Sequence, residues 1–359
     1  MKLGYFTMPL HPPGSDFSKT IVEDLDQMVT LDWLGYREAW IGEHFTFEWE
    51  NIPNPDLFIA HAAAITKRIR FGTGVSCMPN HNPAMLAHRI AQLDHQTQGR
   101  LMWGVGSSST PGDYELFGFD SETDDRRSFT LESVKAIQEI WRDPKPGEYT
   151  NGHWKFVIPD PVEEIGLKLH LKPFQDPHPP IAVGGVSSNS HTLEIAGQNG
   201  WIPLSINLLP IDSLRGHWES YSRGADKTDI LPDRENWRIA RDIYVAETDE
   251  IARREAKEGT LGRDYEKYWL KLLPWSNNLD QFKLDVEMPD DEITLDYLME
   301  NVWIVGSPET VALKIRAIFE KTGGFGTLLA MGHEWKPRKQ WIDSMTLLAD
   351  EVMPQVNSF

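Results

Sequence analysis

One cysteine, Cys77, stands in a chain of 359 residues. A single thiol excludes an internal disulfide and a cysteine-cluster metal site, and it suits a reducing compartment. No run of 18 apolar residues occurs, so no segment reads as membrane-spanning. The opening MKLGYFTMPLHPPG lacks the apolar core and cleavage site of a secretory signal. Positive charge is also scarce: 35 Lys and Arg face 54 Asp and Glu, a formal net charge of −19. Such a surface repels nucleic-acid phosphates and anionic membranes, so neither is an expected partner. Nucleotide and hydrolase motifs are missing too. There is no P-loop Gly-Lys-Thr/Ser and no G-x-S-x-G elbow. Where an open dinucleotide fold wants G-x-G-x-x-G after its first strand, this chain has Thr7-Met8-Pro9. The expectation left standing is a cytoplasmic protein that acts on small molecules.

What is present is a rhythm. Short apolar runs at 3–7, 38–42, 69–75, 101–106, 181–185, 201–205, 238–245 and 323–330 read as strands. Segments of helical periodicity separate them, several stopped by glycine, as at Gly35, Gly99 and Gly200. In the stretch 78–109, Met85, Leu86, Ile90 and Leu93 form an apolar stripe, then Gly99 stops the helix and 101–105 forms a buried strand. Eight strand–helix alternations predict a parallel sheet closed as an α/β (β/α)8 TIM barrel, one domain over 1–359, with insertions after strands four and seven. The Pro-rich stretch 144–180 reads as an excursion, with small strands near 153–156 and 167–171. The charged, Trp-containing stretch 261–301 reads as a mobile insertion.

Active sites of such barrels lie at the strand C-termini. That rule selects Glu43 and His44 after strand two, followed by Phe45, Phe47 and Trp49. A histidine there, beside a carboxylate, is a candidate acid/base. The rule also selects Met8 after strand one, Ser76 with His81 and Asn82 after strand three, and Ser107 after strand four. After strand five comes Gly185 with Ser187, Ser188 and Ser190, opening a helix. Backbone N–H groups and hydroxyls there form a candidate anion site. Simple N-capping by a serine is the competing use of the run 187–190, and turn formation before a proline is that of Asn82. Met8, Phe45, Trp49 and the loop residue Trp275 are candidate lining for an apolar substrate pocket. His61, His88, His95 and His333 are too scattered for a metal, so none is expected.

The stretches GYREAWIGEH, RIRFGTGVSCMPNHNPAMLAHRIAQLDHQTQGRLMWGVG, DYELFG, VGSPETV and MTLLADEVMPQV together resemble the bacterial luciferase-like flavin monooxygenases. The segment GEHFTFEWENIPNP is most similar to the branch containing diketocamphane (type II Baeyer–Villiger) and limonene monooxygenases. The resemblance implies reduced FMN supplied by a flavin reductase, oxygenation of a hydrophobic ketone, terpene, aldehyde or alkane by O2 through a flavin peroxide, and a homodimer. It implies a catalytic role for His44 and a cis peptide at Gly74–Val75 beneath the flavin. Where the luciferases carry a phosphate-binding arginine, this chain has Ser107, which leaves the phosphate to Ser187, Ser188 and Ser190. Deazaflavin-dependent hydride transfer and non-catalytic flavin binding are the alternatives.

Overall fold

In a computed structural model, residues 1–120, 123–150, 152–285 and 287–358 are described. The barrel strands are β1 (Lys2–Thr7), β2 (Glu38–Ile41), β3 (Arg70–Thr73), β4 (Leu101–Gly106), β5 (Ile181–Gly185), β6 (Ile202–Ser205), β7 (Arg238–Arg241) and β8 (Thr327–Met331). Each pairs in parallel with its neighbours in chain order. Register from Lys2↔Thr327 to Phe6↔Met331 joins β1 to β8 and closes the ring. The predicted (β/α)8 barrel is what forms.

Local chemistry sets the outer helices. Asp16 caps Phe17–Leu34 by accepting from Ser18 N, and Gly35 ends that helix at φ 85°. The helix Pro83–Thr97 stops one residue earlier than its glycine suggests, because Gln98 itself takes the left-handed conformation before Gly99. The helix Arg126–Arg142 starts where Asp125 accepts from Arg127 N and Ser128 N.

Three expectations change. The seventh strand is broken at Asp242. Its first half stays in the barrel, while Ile243–Val245 pairs with Ile304–Gly306 outside it. Asp242 is held by His333, Asn207 and Tyr265, which takes its side chain out of any continuous strand pattern. Within 144–180, Gly147–Thr150 and Lys155–Ile158 form an antiparallel hairpin, and 167–171 makes only the isolated Val162–Leu167 bridge. The stretch 261–301 is irregular only in part: helix covers Thr260–Asp264, a π turn Tyr265–Trp269, and helix again Leu270–Trp275 and Leu295–Asn301, with short 3-10 turns among the described residues between them. Leu261, Tyr265, Tyr268, Trp269, Leu273 and Phe282 are buried, so apolar packing holds this insertion in place.

Inward and outward residues alternate along each strand. Phe6, Trp40, Met102, Ala182, Leu204, Ala240, Leu329 and Met331 fill the interior as one cluster. Gly72 stands where β3 would contribute, and a Cβ there would lie 2.2 Å from the Trp40 ring. Below this layer, Arg238 meets Glu38 through two contacts of 3.1 Å, and Trp40 Nε1 donates to the same carboxylate at 2.9 Å. Removing Glu38 would bury an unpaired guanidinium. Glu38→Ala is therefore expected to lower unfolding free energy by about 3–5 kcal/mol, measured by urea denaturation.

Candidate active site

Toward the strand C-termini, the inward positions end at Gly74, Gly106 and Gly184 on β3 to β5 and their continuations. Val75 Cγ2 stands 2.5 Å from a Cβ built on Gly106, and Phe6 stands 3.0 Å from one built on Gly74, so the open space lies at Gly184. Nothing lies within 4 Å of a Cβ built on Gly184 except Ile206 Cγ2, at 4.0 Å. The Gly74–Val75 peptide is cis, where the resemblance places it. Across the mouth, Met8 leans over β2, with its sulfur where a Gly42 Cβ would come to 2.2 Å. The open space at the barrel mouth therefore lies above Gly184, beside Ile206.

His44 follows β2 at the edge of that mouth. Its Nδ1 lies 2.9 Å from Asp113 Oδ2, and its Nε2 lies 2.9 Å from Glu50 Oε2. The second contact is a pairing of charge rather than an aligned hydrogen bond. Asp113 is fully buried, and its Oδ1 accepts from Phe45 N, Thr46 N and Thr46 Oγ1 at 2.7–3.1 Å. Burial works against charge on His44, but Glu50 and Asp113 outweigh it and push the imidazole up to about 10. Burial also works against charge on Asp113, yet the bonds from His44 and Thr46 hold its carboxyl below the ordinary range. Glu50 Oε1 accepts from Tyr268 Oη at 2.5 Å, which ties the helical insertion to the histidine. Trp49 stacks on Tyr268 with ring centroids 5.4 Å apart. Beside these groups opens a cleft of about 490 Å³, lined by His44 and Glu50 and by Phe17, Phe45, Phe47 and Pro53.

Other predicted residues take different places. Glu43 is buried, with Oε2 2.8 Å from His81 Nε2 and Oε1 accepting from Asn80 Nδ2 at 3.1 Å. His81 Nδ1 faces Arg89 Nη1 at 3.3 Å, and a guanidinium only donates. His81 thus sits behind Glu43 as a brace rather than at the rim. Asn82 Oδ1 accepts from Ala84 N and Met85 N, a capping role. Ser190 likewise caps its helix, accepting from Leu193 N. Ser76 is buried and pairs in register with Val105. Ser107 Oγ accepts from Thr130 Oγ1 at 3.0 Å. Trp275 stands 62 % exposed and takes no part in the cleft beside His44.

The turn 186–189 after β5 is exposed. Among the described residues, none accepts a hydrogen bond from the backbone N–H of Ser187, Ser188, Asn189 or Ser190. Four free N–H groups fit an anion. Arg223, absent from the sequence expectation, brings positive charge here by donating to Asn189 Oδ1 at 2.6 Å.

A second buried group joins the insertion to β8; the sequence singled out its His333 but not the partners Asp242, Arg263 and Asp264. His333 lies 2.9 Å from Asp264 and 3.0 Å from Asp242, while Arg263 bonds both Asp264 and Glu334. Glu334 also meets His11, which meets Asp24 at 3.0 Å. Burial opposes charge on His11 and His333, but these carboxylates push each up to about 9. Asp113 was within reach of the sequence, inside the DYELFG marker; Glu50, Tyr268 and the Asp242–Asp264 pair left no local signal.

The family model of luciferase-like monooxygenases matches residues 1–325. The chain is 32% identical to 3,6-diketocamphane 1,6-monooxygenase of Pseudomonas putida, over 99% of this chain and 98% of that one. It is 34% identical to 4-hydroxyprotoasukamycin monooxygenase of Streptomyces nodosus subsp. asukaensis, over 99% and 92%. The solved oxygenating constituent of 3,6-diketocamphane monooxygenase from Pseudomonas putida, a type II Baeyer–Villiger monooxygenase in complex with FMN, superposes with a TM-score of 0.92. That pair shares 33% identity over 99% and 98% of the two chains.

His11, His44 and His333 have folded pKa values near 9 to 10, above the ordinary 6.5. Their stabilisation is complete below about pH 6.5 and is lost as pH rises through 9 to 10. The urea midpoint is expected to fall between about pH 7 and pH 10. Asp113→Asn should lower the His44 pKa by about 1–3 units, read by NMR titration of its ring, and should reduce that fall.

Proposed function

Because this chain belongs to the luciferase-like monooxygenase family, we propose that it is the oxygenase of a two-component system. It uses reduced FMN and O2 to oxygenate a hydrophobic small molecule: a ketone, terpene, aldehyde or alkane. A separate flavin reductase supplies the reduced cofactor, and the chain works as a homodimer in the cytoplasm. The lone buried Cys77 suits that compartment. The exposed Leu57, Ile65 and Met85 on neighbouring helices suit a subunit contact.

One observation carries the reading: glycine at 74, 106 and 184 around the barrel mouth, open at Gly184, with a doubly paired imidazolium following β2. Reduced FMN, when bound, supplies the electrons that activate oxygen. Gly74, Val75, Gly106, Gly184 and Met8 would hold its ring, and the N–H groups of 187–190 its phosphate. His44 keeps a proton at Nε2 in the wall of the cleft, and Asp113 fixes the imidazole through Nδ1. Glu50 steadies the positive charge and links it to Tyr268. The aromatic cleft takes an apolar substrate and excludes water.

Anaerobic titration with reduced FMN, followed by ¹⁸O2 and a panel of ketones, terpenes, aldehydes and alkanes, tests the assignment. The expected result is one ¹⁸O atom in a product, obtained with photoreduced FMN and without any reductase. Failure to bind reduced FMN sinks the reading. Gly184→Val would fill the open position and should raise the Kd for FMN by about tenfold, as overpacking a formed site costs 1–3 kcal/mol. His44→Ala should lower kcat about 10²–10⁴-fold while changing flavin affinity little, the loss typical of a positioned acid/base.

A further inference from the structure

The carbonyl side of the turn at 187–190 is occupied, and one helix, Leu214–Ala225, occupies it. Ser187 O accepts from His217 Nε2 at 2.8 Å. Gly216 approaches Ser188 O so closely that a Cβ would stand 2.4 Å away. Asn189 Oδ1 accepts from Arg223 and, at 3.4 Å, from Ser220 Oγ. In a trans peptide the C=O and the following N–H point to opposite sides. Drawing the oxygens of Ser187 and Ser188 toward the helix therefore turns the N–H groups of Ser188 and Asn189 away from it.

The neighbours of His217 fix its tautomer. Trp237 Nε1 can only donate, and it gives its hydrogen to Ser205 Oγ at 2.9 Å. Ser205 directs its own hydrogen to His217 Nδ1, 2.7 Å away. The ring proton thus sits on Nε2, facing Ser187 O. Burial, with a smaller push from the nearby Arg241, brings the imidazole down to about 4, so it stays neutral. Indole, hydroxyl, imidazole and carbonyl form one directed chain, from the buried Trp237 to the exposed turn.

We propose that His217 is a positioning residue for cofactor binding, holding Ser187 so that the N–H groups of the turn are preformed for the phosphate of FMN. The proposal rests on the reading that this turn takes that phosphate. It assigns His217 no contact with the flavin ring.

The test compares dissociation constants for reduced FMN and reduced riboflavin, the same ring without phosphate, by anaerobic titration. The wild-type protein is expected to bind FMN at least about tenfold more tightly than riboflavin, the worth of charge-assisted hydrogen bonds. In His217→Phe the advantage should shrink to about twofold while riboflavin affinity is unchanged. His217→Gln, which can accept from Ser205 and donate to Ser187, should keep the advantage. His217→Met serves the same purpose as the phenylalanine variant if that one does not fold. Equal wild-type affinity for the two flavins overturns the phosphate reading itself. A wild-type advantage that persists in both His217→Phe and His217→Met overturns the role of His217 alone. Equal weakening of both flavins also overturns it, since that marks a general structural loss.

Discussion

Eight parallel strands enclose a space only as wide as the side chains that fill it. This chain fills the middle layer with Trp40, Met102, Leu204 and Leu329, then leaves glycine at 74, 106 and 184 toward the strand C-termini, with open space at Gly184. The contrast between the solid layer and that space creates the mouth. A larger residue at those positions would extend the core upward and close it. Every functional group described above is arranged around that absence of volume: His44 and its carboxylates at one edge, the hydroxyl-rich turns after β4 and β5 at another, and the helical insertion above.

Many charges are also buried near the strand ends. Apolar packing holds the body of the insertion, but it does not alone join it to the strand ends. Arg263 and Asp264 reach down to Glu334 and His333, and Tyr268 reaches Glu50. Buried ions are tolerated when each finds a partner of opposite sign. His11, His333 and Arg263 are balanced here by Asp24, Asp242, Asp264 and Glu334, with Lys336 at the solvent side. The cluster contributes orientation more than net attraction, since desolvation offsets much of the pairing energy.

Much of this was legible before the structure. Apolar strand runs and glycine stops gave the barrel, because both follow from local periodicity. The barrel rule gave His44, because it depends only on finding strand ends. Part of the mouth was written in the sequence: FGTG and WGVG place glycine at alternate positions, and VGG adds two in succession. What escaped was non-local. Asp113 lies 69 residues from His44, and Tyr268 lies 218 residues from Glu50, so no spacing rule connects them. The insertion misled for another reason. Its Trp, Tyr and Pro residues blur helical periodicity, and a π turn at 265–269 shifts the buried face within the helix.

Charge raises the last point. A chain with a formal charge of −19 repels any phosphate-bearing cofactor at a distance. Screening limits that repulsion to about 8–10 Å at ordinary ionic strength, so what happens inside that range decides binding. There, no side-chain cation stands at position 107, and the charge of Arg223, which hydrogen-bonds Asn189, is offset by Glu194 at 3.7 Å. The remaining attraction comes from neutral dipoles, the N–H groups of a turn whose carbonyls are tied back. A dipolar grip is weaker than an arginine fork, but it needs no counter-charge and little reorganisation. In the proposed two-component role, where flavin arrives from a reductase, a moderate, preformed grip suits the cycle better than a tight ionic one.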